Sequence, residues 1–225
     1  MRVKAGLQSK LTAPAKAGAG RFKRLSLRYV LVAGTFLCAS AMGVHAYESG
    51  LEGLASARTE AGRAYRDGPP LGFSGGFGED HCQACHSDNT VNAGGGSLTI
   101  SVPGRYAPGK SYPVTITLKR PRMAMGGFVF TARFEEDSSQ AGTLTFADSL
   151  KERVKVVTDR GVQYAYHSRP GTQLTGTDVV RWTLRWTAPT GKRVVLFHAA
   201  ANAANGDDSQ SGDFIYTSRA RSRGR

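Results

Sequence analysis

The chain has 225 residues, 40% of them apolar, and 30 Lys and Arg against 17 Asp and Glu give it a formal charge of +13. Eight of the basic residues lie in the first 28 positions with no acid among them, and without the first 46 residues 22 basic and 17 acidic side chains remain, a balance of +5. The headline charge therefore belongs to a leader and is no argument for nucleic-acid binding, which needs a basic patch fixed on a fold. The small residual balance suits acidic redox partners, although solubility alone accounts for it.

The basic stretch is followed by Tyr29 to Ala46, YVLVAGTFLCASAMGVHA, an apolar run ending in Val44-His45-Ala46. That order of regions predicts a signal peptide over 1–46 and Sec-type export to the periplasm or beyond the cell. The alternative is a retained anchor, because a run of roughly 18 residues is near the lower limit for spanning a bilayer. Membrane contact is expected only in that case. Cys38 sits in the run without the small residues that a lipid-attachment site places before its cysteine.

Residues 47–71 read as a short helix and linker. Ser49-Gly50-Leu51-Glu52 has the form of a capping box, and Leu51, Leu54, Arg58, Ala61 and Tyr65 follow at helical spacing until Gly68-Pro69-Pro70 ends the run. Residues 72–96 carry the chemistry. A glycine-dense stretch, Gly72 to Gly78, leads into His81-Cys82-Gln83-Ala84-Cys85-His86. Cys82 to His86 is a CxxCH site, the pattern for covalent attachment of c-type haem. Two cysteines on one helical turn can each form a thioether to a haem vinyl group, and His86 reaches the iron from the face that the peptide covers. Outside the leader these are the only cysteines. Asp80 is the expected N-cap of the turn. A surface disulfide or a zinc site is the competing reading, but zinc needs further close ligands and only His81 is near. One haem c is expected; calcium is a weaker possibility in the loop Asn202 to Asp213, whose Asn205, Asp207, Asp208 and Asp213 offer oxygen ligands without EF-hand spacing.

The sixth iron position has several candidates. His81 is too close to His86 in sequence to reach the other face of the ring. His167 ends a strand-like run in which Val162, Tyr164 and Tyr166 are read as core-facing, so parity directs it outward with Gln163 and Ala165. Met125 is a weaker alternative, with Met123 beside it, and its thioether would raise the reduction potential. His198 is another weaker alternative, outward by alternation with Val195, Phe197 and Ala199. Arg120 and Arg122 are candidates for pairing with haem propionates.

From Ser97 onward the apolar pattern has period two: Leu98, Ile100, Val102; Tyr112, Val114, Ile116, Leu118; Phe128, Phe130, Ala132, Phe134; Leu144, Phe146; Val154, Val156; Val162, Tyr164, Tyr166; Val180, Trp182, Leu184, Trp186; and Val194 to Ala200. Turn signals separate the runs. Seven to nine short strands with no helical spacer predict an all-β, immunoglobulin-like antiparallel sandwich over 97–218. Arg219, Arg221, Arg223 and Arg225 read as a basic, disordered tail over 219–225. No nucleophile elbow, HExxH, P-loop or dinucleotide fingerprint occurs, and Glu135-Glu136 are adjacent rather than convergent.

In this order, several blocks resemble a bacterial Reeler-type domain carrying a c-haem site at its front. They are Gly75-Gly76-Phe77-Gly78 before Cys82 to His86, Tyr106-Ala107-Pro108-Gly109-Lys110-Ser111-Tyr112, Gly127-Phe128, Tyr166-His167, Trp186-Thr187-Ala188-Pro189, Asn202 to Asp207, and Gly212-Asp213-Phe214-Ile215-Tyr216. The resemblance implies an immunoglobulin-like sandwich of an extracytoplasmic protein and licenses no activity by itself. It also offers a structural role for His167, since Reeler-like domains without haem carry Tyr-His there. The expectation from the haem motif is a monohaem c-type cytochrome passing single electrons to redox proteins or neighbouring haem proteins. The alternatives are a binding or assembly module with structural haem, prone to self-association, and a pentacoordinate haem sensor or small redox enzyme.

Overall fold

Alternation of apolar and polar side chains buries one face of a strand, and two such faces must close on each other. The computed structural model describes residues 68–225; the signal segment and most of the expected 47–71 helix lie outside the described residues. Ten strands occur among the described residues: β1 (Ser97–Ser101), β2 (Arg105–Tyr106), β3 (Ser111–Lys119), β4 (Met125–Phe134), β5 (Thr143–Thr145), β6 (Val154–Asp159), β7 (Val162–His167), β8 (Val179–Thr187), β9 (Val194–Ala204) and β10 (Phe214–Gly224). A four-stranded sheet runs β1-β3-β8-β5 and a six-stranded sheet runs β2-β10-β9-β4-β7-β6. Every pairing is antiparallel except β2 with β10. The expected all-β sandwich is the observed fold. Among the described residues no helix is long and apolar enough to cross a membrane.

Strand β8 shows why the pattern was readable. Val180, Trp182, Leu184 and Trp186 are buried, while Arg181, Thr183 and Arg185 between them are exposed. The aromatic residues fill the space between sheets. Trp182 lies 4.4 Å from Phe128 between ring centroids, and Trp186 meets Phe197 edge-on at 4.9 Å. A buried indole needs a partner for its N–H. Trp182 Nε1 donates to Gly171 O at 2.9 Å and Trp186 Nε1 to Ala141 O at 2.8 Å. Tyr106, on the two-residue strand that periodicity could not detect, is fully buried and its hydroxyl donates to Arg193 O at 2.6 Å.

Part of the six-stranded sheet is covered on both faces. On β4, Phe128, Phe130 and Ala132 face the core, yet Val129, Thr131 and Arg133 between them are buried too. Residues 68–96 supply that second cover: a Cβ on Gly76 would fall 2.2 Å from the His198 ring and one on Gly75 would fall 2.9 Å from Thr217, both outward residues of β9 and β10. The side chains of β7 also sort opposite to expectation. Ala165 packs into the core, and Tyr164 turns its hydroxyl to Arg133 on the outer side. Parity alone could not assign the sides, because both faces of this strand are covered.

The basic tail is not a disordered tail. Residues 219–224 are the second half of β10, in register with β9 from Arg219 opposite His198 to Arg223 opposite Val194, and they also pair with β2. Arg219, Arg221 and Arg223 alternate with Ala220, Ser222 and Gly224, so the inward side consists of small residues with no apolar signal. Ser222 is nonetheless fully buried, and Arg221 forms an ion pair with Glu135. Truncation after Ser218 removes these pairings and is expected to lower the thermal midpoint by at least about 10 °C, about 3 kcal/mol for a domain of this size. A circular-dichroism melt checks this, since loss of a disordered tail would leave the midpoint unchanged.

Candidate functional site

The site is built from a segment without regular structure, so something must fix it to the sheet. A partly buried carboxylate does so. Glu79 receives hydrogen bonds from Arg133 on β4, from the Tyr164 hydroxyl on β7 and from Ser74 Oγ at 2.5 Å, while Arg133 Nη2 also donates to Tyr164 Oη at 2.6 Å. Burial pushes the Glu79 carboxyl up, but the bonds from Ser74 and Tyr164 and the Arg133 charge outweigh it and hold the group below the usual range. Phe77 adds a face for the Arg133 guanidinium, 4.7 Å from the ring centroid, and an edge contact to His198 at 4.9 Å. None of this was foreseen: a lone Glu in a polar loop carries no sign that it will be buried.

The next residues form the expected turn, as a single 3-10 turn at Cys82–Ala84. Its cap is His81, not Asp80: His81 Nδ1 accepts the Gln83 N–H at 3.3 Å, which occupies that imidazole locally. His86 N donates to Cys82 O at 3.0 Å and closes the turn. Both cysteines are free thiols, Cys82 half-buried and Cys85 exposed. Burial pushes the Cys82 thiol up to about 12. The turn is tied to β10 by Asn89, whose Nδ2 donates to Asp213 O at 2.8 Å and whose carbonyl accepts from Gln83 at 2.9 Å. His86 Nδ1 lies 2.8 Å from Asp213 Oδ2 and 3.3 Å from Asn202 Nδ2.

Cys82, Cys85 and His86 open onto a cavity of about 340 Å³ that is also lined by His167, Met125, Arg169, Phe73, Pro69 and Pro70. Gly127 on β4 and Asn202 on β9 are direct cross-strand partners in its wall. Gly127 is required there, because a Cβ would come within 2.7 Å of His167 Cε1. The His167 ring rests instead on the Phe128 backbone, with Nδ1 2.9 Å from Phe128 N and 3.1 Å from Phe128 O. Loss of surrounding water, helped by the Lys155 charge and opposed by the Phe128 bond, lowers His167 to about 4. The ring is therefore neutral at physiological pH. Met125 Sδ accepts a weak contact from Thr172 Oγ1 at 3.8 Å.

The other sequence candidates lie elsewhere. His198 points outward as expected, but Gly76 and Phe77 cover it, so it is not brought to the cavity with His86. Met123 is buried in the core. Arg120 stacks on Phe214 at 3.1 Å and donates to Tyr216 Oη, and Arg122 N is held by Asp178. The arginine lining the cavity is Arg169, which the sequence reading passed over. In the acidic loop, Asp207 is engaged by Ser209 N at 2.9 Å and Asn205 at 3.0 Å, and Asp213 by His86, Asn202 and Asn205. Among the described residues no group of three or more His, Cys, Asp or Glu side chains converges on one metal position.

The donor set fits a covalently held haem. Two free thiols on one turn, two imidazoles and a thioether share a cavity within the ~300–1,000 Å³ range of cofactor sites, and the glycine at position 127 keeps the wall open. No family model matches the chain, and neither does any curated protein sequence. Solved structures with a similar course include a cohesin module from a Clostridium perfringens family 33 glycoside hydrolase, 12% identical with a TM-score of 0.41, covering 58% of this chain and 96% of that one. A non-cellulosomal cohesin from the archaeon Archaeoglobus fulgidus is 6% identical with a TM-score of 0.34, covering 58% of this chain and 91% of that one.

Replacing Glu79 by Gln leaves Arg133 buried without its counter-charge and is expected to cost about 3 kcal/mol near neutral pH. A carboxyl held low in the fold stabilises above its unfolded value and loses that contribution as pH falls through its folded one. The deficit of the Gln variant, read from denaturant melts, should accordingly shrink below about pH 4; a deficit constant down to pH 2 would refute the role.

Proposed function

We propose that this chain is an exported, periplasmic or extracellular monohaem c-type cytochrome on a Reeler-like sandwich, and that it carries single electrons between redox partners. The observation that supports it is the meeting of Cys82, Cys85 and His86 with His167 at one cavity. Haem c, when bound, supplies a one-electron Fe(III)/Fe(II) couple. Cys82 and Cys85 would hold the ring through two thioethers, each S–H adding across one vinyl double bond. His86 would supply an imidazole nitrogen to the iron.

His167 is the proposed sixth ligand. Iron ligation requires the tautomer in which Nδ1–H is given to Phe128 O at 3.1 Å, leaving the Nε2 lone pair free, in place of the one in which Nδ1 accepts the Phe128 N–H at 2.9 Å. Burial favours the uncharged ring in either case. Arg169 is the residue proposed to neutralise a propionate. Phe73, Pro69 and Pro70 line the same cavity and would limit water at a bound ring. Arg219, Arg221 and Arg223 stand exposed along β10 and Arg225 just beyond it, which suits a redox protein with an acidic face.

The test is the optical spectrum of protein exported from a cell with c-haem maturation, oxidised and reduced, with a pyridine haemochrome assay. One covalent haem per chain with low-spin bands is expected. Changing Cys82 and Cys85 to Ser should abolish covalent attachment. Replacing His167 by Ala should give a high-spin haem that binds CO, while His198→Ala and Met125→Ala remain low-spin. High-spin bands in the unchanged protein would favour the sensor or enzyme reading. Absence of covalent haem would leave an interaction module.

A further inference from the structure

Resting on His86 as an iron ligand, we propose that Asp213 is its positioning residue: the carboxylate fixes the imidazole as the Nδ1–H tautomer, presents Nε2 to the iron and makes the ligand electron-rich. Asp213 stands at the entry to β10 and is only 2% exposed. Its Oδ2 lies 2.8 Å from His86 Nδ1 and accepts from Asn202 Nδ2 at 2.8 Å, and its Oδ1 accepts from the Asn205 N–H at 3.0 Å. Both oxygens are therefore held, and the carboxylate cannot turn away from the ring.

An ionised carboxylate has no proton to give, so the bond to His86 requires the imidazole proton on Nδ1. The other nitrogen is then left with its lone pair. A carboxylate behind a metal-bound imidazole fixes ring orientation and raises ligand basicity, more strongly than a neutral acceptor would, because charge-assisted hydrogen bonds are about twice as strong. A more basic axial ligand favours Fe(III) over Fe(II). Asp213 therefore holds the reduction potential down, and Asn202 moderates it by sharing the same oxygen.

The experiment is a potentiometric titration of the haem-loaded protein with Asp213→Asn, together with ¹⁵N NMR of the histidine ring nitrogens in the same samples. Asp213→Asn is expected to move the couple toward Fe(II) by at least tenfold, about 59 mV for one electron, with covalent haem content and low-spin bands unchanged. Asn202→Ala, which leaves His86 as the sole side-chain donor to the Asp213 carboxylate, should move it the opposite way and keeps the proposal testable if Asp213→Asn fails to fold. Potentials within twofold of the unchanged protein in both variants, or a His86 ring without its proton on Nδ1, would overturn the role. A protein without covalent haem would instead overturn the cytochrome reading, and the NMR measurement on that same protein still decides whether Asp213 fixes the His86 tautomer.

Discussion

The largely buried ion pair between Glu79 and Arg133 is the constraint from which the site follows. A chain segment rich in glycine has much entropy to lose on ordering, and residues 72–80 contain too few apolar side chains to drive that ordering by burial. The Glu79 carboxylate instead binds to a guanidinium that is itself half of a covered sheet face, with Tyr164 and Ser74 completing its shell. With that anchor in place, the turn that follows has a fixed starting point, and Asn89 fixes its end against Asp213. Breaking the anchor would leave a buried charge on β4, which is why so polar a contact can hold a loop firmly.

The sandwich contributes a rigid floor. Strands β4 and β9 pair along almost their full length, and their inner face is closed by Phe128, Phe130, Phe197 and the two tryptophans. On the outer face, the same strands present a direct pair of Gly127 and Asn202 where the cavity lies, and His198 under Phe77 where the segment is seated. Side-chain size along one sheet face thus separates the seat from the cavity. The glycine at 127 admits the His167 ring, and the asparagine at 202 donates to Asp213 beside His86. The proposed electron carrier is then a local haem peptide held against a preformed wall.

Legibility followed range. The CxxCH turn is a property of five consecutive residues, and the strands of the core announce themselves by period two wherever one face is apolar and the other is wet. The reading failed where that contrast vanished. On β7 both faces are covered, so Tyr164 and Ala165 exchanged expected sides. On β10 the inward residues are Ala220, Ser222 and Gly224, and four arginines hid a strand behind the composition of a tail. In the acidic loop the sequence offered Asp213 as one oxygen donor among four and held no sign that it would be the hydrogen-bond partner of His86.

The sequence by itself determined the all-β sandwich and the pair of thiols followed by His86, because both depend on residues near one another in the chain. Tertiary structure alone decided which distant side chains join them. His167, Met125 and Asn202 reach the cavity because antiparallel pairing sets β7, β4 and β9 side by side, whereas His198, only four residues from Asn202, is closed off beneath Phe77. Such choices depend on register and on what covers a face, and neither is written in local periodicity.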